Sequence, residues 1–277
     1  MAKKIIYYED ALHDDFAASD IQAKPVPADF PYVIQNPFWL LLEFVLYRLI
    51  ATPVVWLIGK FGFGLKIKNR RALKPLRGKG YFLYGNHTQN MMDAYTPSLA
   101  AFPGHAHIVV SPAAVSVPVL RRMVQLLGGI PLPGSLKGYR PFWAALSRRI
   151  HQRRVITIYP EAHIWPWYTG VRPFPDGSFA YPVRENVPVV AFATTFRRRR
   201  VFKKLWPCLT VTLSDPFYPD LSLSPQEARK KLRDEVYAFL CETTASPDNY
   251  LYYEYRQKPA VPGEADGEPV PQAGESA

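Results

Sequence analysis

Thiol chemistry has little to work with in this sequence. Its 277 residues include two cysteines, Cys208 and Cys241, neither placed near a histidine in a catalytic pattern. Two are too few for a disulfide framework, and each reads as a small buried hydrophobe. No Gly-x-Ser-x-Gly elbow occurs, so an acyl-enzyme on either serine or cysteine is disfavoured. The first residues carry two lysines but no apolar run before the acids begin, which is not the pattern of a cleavable signal peptide. No internal repeat is visible. The scarcest feature is negative charge: from Phe44 to Pro175 there are 18 bases and two carboxylates, Asp93 and Glu161.

What is present supports a folded, basic protein. At 48% hydrophobic and 14% aromatic residues, the chain has enough apolar surface for a sizeable core. Its net charge of +11 averages unlike parts: residues 1–36 carry −3, residues 259–277 carry −4, and residues 37–258 carry +18. Such a body attracts an anionic partner: a membrane surface, nucleic acid or a phosphorylated ligand. The composition predicts four segments: an acidic N-terminal segment (1–36), an apolar and basic membrane-associated segment (37–69), an α/β domain (70–258) and a disordered acidic tail (259–277).

Phe38 to Ile58 is the most apolar stretch and is long enough to span a bilayer. Its 13 Leu, Ile, Val and Phe residues favour insertion by about 4 to 8 kcal/mol. Glu43 and Arg48 each cost about 2.5–3.5 kcal/mol at mid-helix, and Pro53 interrupts the pattern. The sum is near zero, so the expectation is a broken helical segment in the interface, with Trp39, Tyr47 and Trp56 at headgroup depth. Eight bases and no acid follow between Lys60 and Lys79, a stretch suited to anionic headgroups.

From Gly80 short apolar runs alternate with helix-like stretches. This predicts an α/β fold with a mostly parallel sheet flanked by helices. Ser224-Pro225-Gln226-Glu227 marks the start of a last helix as a capping box. In parallel sheets ligands bind beyond the carboxyl ends of the strands, and both scarce carboxylates fall there. YFLYG leads into Asn86, His87 and Asp93, and VITIYP leads into Glu161 and His163. A histidine oriented by an aspartate is a general base, able to take a proton from a hydroxyl. Five residues separate the pair, so a non-helical turn through Thr88-Gln89-Asn90 must join them.

These blocks resemble the 1-acylglycerol-3-phosphate (lysophospholipid) acyltransferases. Asn86-His87…Asp93 is similar to that family's NH-x4-D block, and Tyr159-Pro160-Glu161 to the start of its FPEGTR block. Gly129-Ile130-Pro131-Leu132, Phe174-Pro175-Asp176-Gly177 and Val187-Pro188-Val189-Val190 stand where its other blocks fall, in order, over residues 37–245. The resemblance implies acyl transfer from acyl-CoA or acyl-carrier protein, as co-substrate and without a cofactor, to a lysolipid hydroxyl at the cytoplasmic face of a membrane. His87 is then the base, Asp93 its orienting partner, and Glu161, Asn86 and His163 lie on the acceptor side.

The sequence also departs from that pattern. The third block reads PEAHIW, with Ile164 at the arginine position, and Pro133 or Gly134 replaces the arginine of the second block. In the family both arginines are associated with the acceptor phosphate. Lys137, Arg140 and Arg172 are the candidate substitutes; alternatively the acceptor is a glycolipid or another non-phosphate hydroxyl. Trp165-Pro166-Trp167-Tyr168 is suited to lining an acyl or sugar surface, or to core packing. A non-catalytic lipid-binding protein is the rival from another class.

Three further patterns are weaker. His105-x-His107 with His163 suggests a metal, but neither cysteine nor carboxylate completes a ligand set in the sequence. Two carboxylates suit a glycosidase but leave the adjacent Asn-His unexplained. The run Arg197 to Arg200, with Lys203 and Lys204, reads as a basic hairpin loop facing lipid phosphates rather than a nucleic-acid surface.

Overall fold

The computed structural model describes residues 4–17, 22–202 and 204–259. The acidic tail beyond Pro259, and Lys203 of the basic run, lie outside these described residues. The chain builds a seven-stranded sheet, each face of which is covered. Its strands are β2 (Lys66–Lys68), β3 (Tyr81–Gly85), β4 (Ala106–Val110), β5 (Gly129–Pro131), β6 (Val155–Ile158), β7 (Val189–Arg197) and β8 (Cys208–Leu213), in the order β2-β8-β7-β3-β6-β4-β5. Every pairing is parallel except β7 with β8, as the strand–helix alternation predicts. The β7–β8 hairpin carries the basic loop.

The central strand β3 is buried along its whole length, which explains its unbroken apolar sequence. Phe82 and Tyr84 join a cluster with Phe142, Leu146, Leu232 and Val236. Tyr81 and Leu83 turn to the opposite layer, with Ala100, Val211 and Leu213. The helices are α1 (Pro37–Gly62), α2 (Thr96–Ala101), α3 (Pro118–Leu126), α4 (Leu136–His151), α5 (Ala180–Glu185) and α6 (Pro225–Thr244). The expected capping box opens α6: Ser224 and Glu227 each receive the other's backbone N–H.

The N-terminal segment packs on the body. Its strand β1 (Lys4–Tyr8) pairs in parallel with β9 (Tyr253–Gln257), and Val26 and Phe30 are buried against Val115. Strand β2, in the apolar and basic segment, enters the sheet beside β8.

Helix α1 corrects one expectation. It runs 26 residues without a break through Pro53. It is α-helical over Pro37–Glu43 and Thr52–Leu57, and π-wound over Phe44–Ala51 and Ile58–Gly62. Pro53 sits inside the helix, where the π-wound stretch gives way to the second α-helical one, and the wider π turn there makes room for a residue that supplies no N–H. In an α-helix a stripe at every fourth residue drifts sideways; wider π turns, closed by i→i+5 bonds, drift the other way. Alternating the two keeps Glu43, Tyr47, Val55 and Gly59, all buried, on one line against the body. Tyr47 is therefore not at headgroup depth: it is 3% exposed, and its hydroxyl exchanges hydrogen bonds with the backbone of Ala106. Both charges also face the protein. Glu43 lies beside His105, and Arg48 donates to the Pro103 carbonyl at 2.5 Å. The outer face is apolar and exposed, with Phe38, Leu41, Phe44, Leu49, Ile50, Val54, Trp56 and Phe61.

Candidate active site

The site forms where β3 ends. Gly85 closes the strand because nothing larger fits: a Cβ there would lie 2.3 Å from the Phe192 ring. Asn86 then continues the strand pairing with its side chain. Its Oδ1 accepts from Thr194 N–H at 2.7 Å and its Nδ2 donates to the Thr194 carbonyl at 3.0 Å. Asn86 is fully buried by this bonding, so it anchors the turn to β7 rather than facing a substrate.

His87 emerges from that anchor with 19% of its side chain exposed, and its Nδ1 lies 2.9 Å from Asp93 Oδ2. The same oxygen accepts the backbone N–H groups of Thr88 and Gln89 at 2.9 and 2.8 Å. The five intervening residues thus wrap around the carboxylate, which is 2% exposed. Burial pushes the Asp93 carboxyl above its ordinary range, and the bonds from His87, Gln89 and Thr88 work against that rise. With Nδ1 donating to the carboxylate, the lone pair of the imidazole is on Nε2.

Tyr159 completes this support, a role the sequence reading did not assign. Its ring stacks on His87 at 4.3 Å between centroids and 13° between planes. Its hydroxyl donates to the Asp93 backbone carbonyl at 2.7 Å. The only sequence signal was its position immediately before the Pro-Glu block.

Glu161 is buried, and so is Arg172. Arg172 Nε meets Glu161 Oε2 at 3.1 Å, and its guanidinium also binds the carbonyls of Glu161, His163 and Ala11. The Trp165 ring lies 5.0 Å from the guanidinium carbon. Burial pushes the Glu161 carboxyl up to about 7, against the pull of Arg172 and of the His87 backbone N–H. This corrects two expectations. Arg172 is fully engaged inside the protein and is not a free phosphate ligand. Glu161 supports the loop rather than opening onto an acceptor.

His163 is partly exposed, with Nδ1 3.4 Å from Asp15 Oδ2. The N-terminal segment is tied along this loop. Ile164 N–H donates to Asp15, Phe16 N–H to the Ile164 carbonyl, and Trp165 Nε1 to the Asp14 carbonyl. The loop in turn holds the histidine turn, because Trp165 and Trp167 N–H donate to the carbonyls of His87 and Thr88. Trp165 is 1% exposed and packs among Tyr8, Phe16, Tyr168 and Tyr255. Its role is core packing.

Lys137 and Arg140 are exposed in the first turns of α4, beyond β5. Neither forms a hydrogen bond or ion pair with the dyad, although the helix that carries them reaches the β3 layer through Phe142. The basic hairpin is also partly committed. Arg197 and Arg199 donate to the carbonyls of Gly64 and Gly62 at 2.6 and 2.5 Å, capping the chain at the end of α1. Exposed apolar side chains surround them: Val201, Phe202, Leu205 and Trp206.

A groove of about 630 Å³ adjoins the dyad turn, lined by Gln89, Asn90, Met91, Phe63, Trp167 and Trp206, with strand β1 and Tyr253 on its far side.

Residues 65–195 match the family model described as Acyltransferase. No curated protein matches the chain. Among solved structures, the 1-acyl-sn-glycerophosphate (LPA) acyltransferase PlsC from Thermotoga maritima has a similar fold, with a TM-score of 0.53 and 18% identity. The match covers 79% of this chain and 92% of that one.

Proposed function

We propose that the chain, whose residues 65–195 match the acyltransferase family model, moves a fatty acyl group from a thioester donor, acyl-CoA or acyl-carrier protein, to a hydroxyl of a lysophospholipid at a membrane surface. The observation that carries this reading is the His87–Asp93 dyad at 2.9 Å, held by Tyr159 at the carboxyl end of the central strand. His87 Nε2 accepts the proton of the acceptor hydroxyl as its oxygen attacks the thioester carbonyl. The C–S bond then breaks, and the imidazolium returns the proton to the leaving thiolate. Asp93 stabilises the imidazolium between these steps.

The outer face of α1 and the hairpin tip support attachment to the cytoplasmic leaflet. Phe61 and Phe202 are 71% and 73% exposed, beside bases such as Lys60, Arg198 and Arg200. Because α1 is packed along the body from Glu43 to Gly59, it lies in the interface with its apolar side outward.

One observation favours a second acceptor class. Arg172 is committed to Glu161, and Ile164 stands at the arginine position of the third block. A glycolipid or other non-phosphate hydroxyl is the acceptor that this arrangement suits.

The test is an acyl-transfer assay over lysophospholipid and glycolipid acceptors with both donor types. The wild-type chain transfers acyl groups and His87→Ala loses about 10²- to 10⁴-fold in kcat. Turnover by a folded His87→Ala chain at the wild-type rate rejects the dyad. Preference for a phosphate-free acceptor selects the second class.

A further inference from the structure

A second cluster of ionisable side chains lies at the other end of the sheet. The register Tyr81↔Val155↔Ala106 sets His105 and His107 level with the start of β3, and His87 stands six residues further on, about 20 Å away at strand rise. The imidazoles of His105 and His107 share a face of the strand and stack at 4.6 Å. Glu43 reaches them from α1. The ligand atoms of all three lie within 4.8 Å of one another, and the three residues are 8%, 1% and 6% exposed.

Three observations point to a missing partner. Nε2 of both histidines is buried without a hydrogen bond. His107 Nδ1 lies 3.2 Å from the Gly128 carbonyl, so Nδ1 carries the proton and the bare lone pair is the orphaned Nε2. The distance from His105 Nε2 to Glu43 Oε1 is 3.6 Å, too long for a hydrogen bond. Two ligands of a tetrahedral zinc, each about 2.1 Å from the metal, stand about 3.4 Å apart.

We propose that Glu43, His105 and His107 bind a divalent transition metal of the zinc type, clamping helix α1 to strand β4. Two imidazoles and a carboxylate are a familiar set for such ions. A cavity of about 570 Å³ bordered by Glu43 and His105 provides entry and an open coordination position. Its wall also carries Arg48, Arg149 and Arg154. These oppose a bare dication, so the open position takes an anionic ligand such as hydroxide. Nε of Arg149 and Nε of Arg154 are themselves buried without an acceptor. The sequence pattern offered His163 as third ligand; the structure puts His163 beside Asp15 and supplies Glu43 instead.

The experiment uses the full, untagged chain in detergent, stripped of metal and titrated with Co²⁺. One equivalent binds with visible d–d absorption, Zn²⁺ displaces it, and Zn²⁺ raises the thermal midpoint. His107→Ala and Glu43→Gln each weaken Co²⁺ binding by more than about 100-fold. Absence of a one-equivalent spectrum in the wild-type chain overturns the proposal. So does binding that survives both substitutions. The wild-type titration decides even if a variant does not fold.

Discussion

Tyr159 holds the base of the dyad from two directions: its ring lies flat on His87, and its hydroxyl donates to the backbone carbonyl of Asp93. The stack limits imidazole rotation, and the hydrogen bond fixes the turn that presents the carboxylate. Tyr159→Phe keeps the first contact and removes the second. Losing one buried hydrogen bond costs about 1 kcal/mol or somewhat more, so kcat falls by about 5- to 10-fold with KM little changed. Tyr159→Ala removes both contacts and falls further. Steady-state kinetics on the two variants checks the order; equal losses would show that the hydroxyl has no separate role.

Asp93→Asn separates charge from shape. The carboxylate oxygen accepts from His87, Thr88 N–H and Gln89 N–H at once, and an amide oxygen can take the same place. The turn therefore survives, while the negative charge that stabilises the imidazolium is lost. The expected result is a kcat lower by about 10²- to 10³-fold with a thermal midpoint within a few degrees of wild type. Wild-type kcat in the variant would reduce Asp93 to a turn-former.

Glu161 sets a pH dependence of stability. Burial raises its carboxyl to about 7 in the folded chain, from an ordinary value of 4.5. Between those two values the folded state keeps a proton that the unfolded state has released. Stability at this locus is therefore greatest below pH 4.5 and falls as pH rises towards 7. Asp93 contributes with the same sign. Glu161→Gln removes the first contribution, so its unfolding midpoint declines less than wild type between pH 5 and pH 8. Parallel pH profiles for the two proteins, measured by thermal melts, would contradict this assignment.

The sheet and the dyad were legible because their signals are local. Each strand is a short apolar run, and His87 and Asp93 follow one strand end within seven residues. What escaped was non-local. Strand β1 pairs with β9 nearly 250 residues away, and neither carries a distinctive pattern. Arg172 and Glu161 look in sequence like two independent loop charges, yet burial pairs them. Pro53 escaped for a related reason. An ideal 3.6-residue period makes Pro53 a break, whereas the π turns of α1 admit the proline and align Glu43 with the body.

The exposed apolar side chains test the interfacial orientation of α1. Phe61 ends the helix and Phe202 stands on the β7–β8 hairpin, which Arg199 ties to the helix end through Gly62. The two rings therefore belong to one rigid patch and enter the interface together. Full burial of a phenylalanine is worth about 1.5–3 kcal/mol, and partial burial at headgroup depth gives less. Phe61→Ser and Phe202→Ser should each weaken partition to anionic vesicles by about 5- to 30-fold, and the double variant by close to the product. Neither ring touches the dyad, so turnover on a detergent-dispersed acceptor stays near wild type while turnover on vesicles falls. Added salt weakens the remaining, electrostatic attachment. If the double variant partitions as well as wild type, α1 does not lie in the interface with this face down, and a spanning arrangement takes its place.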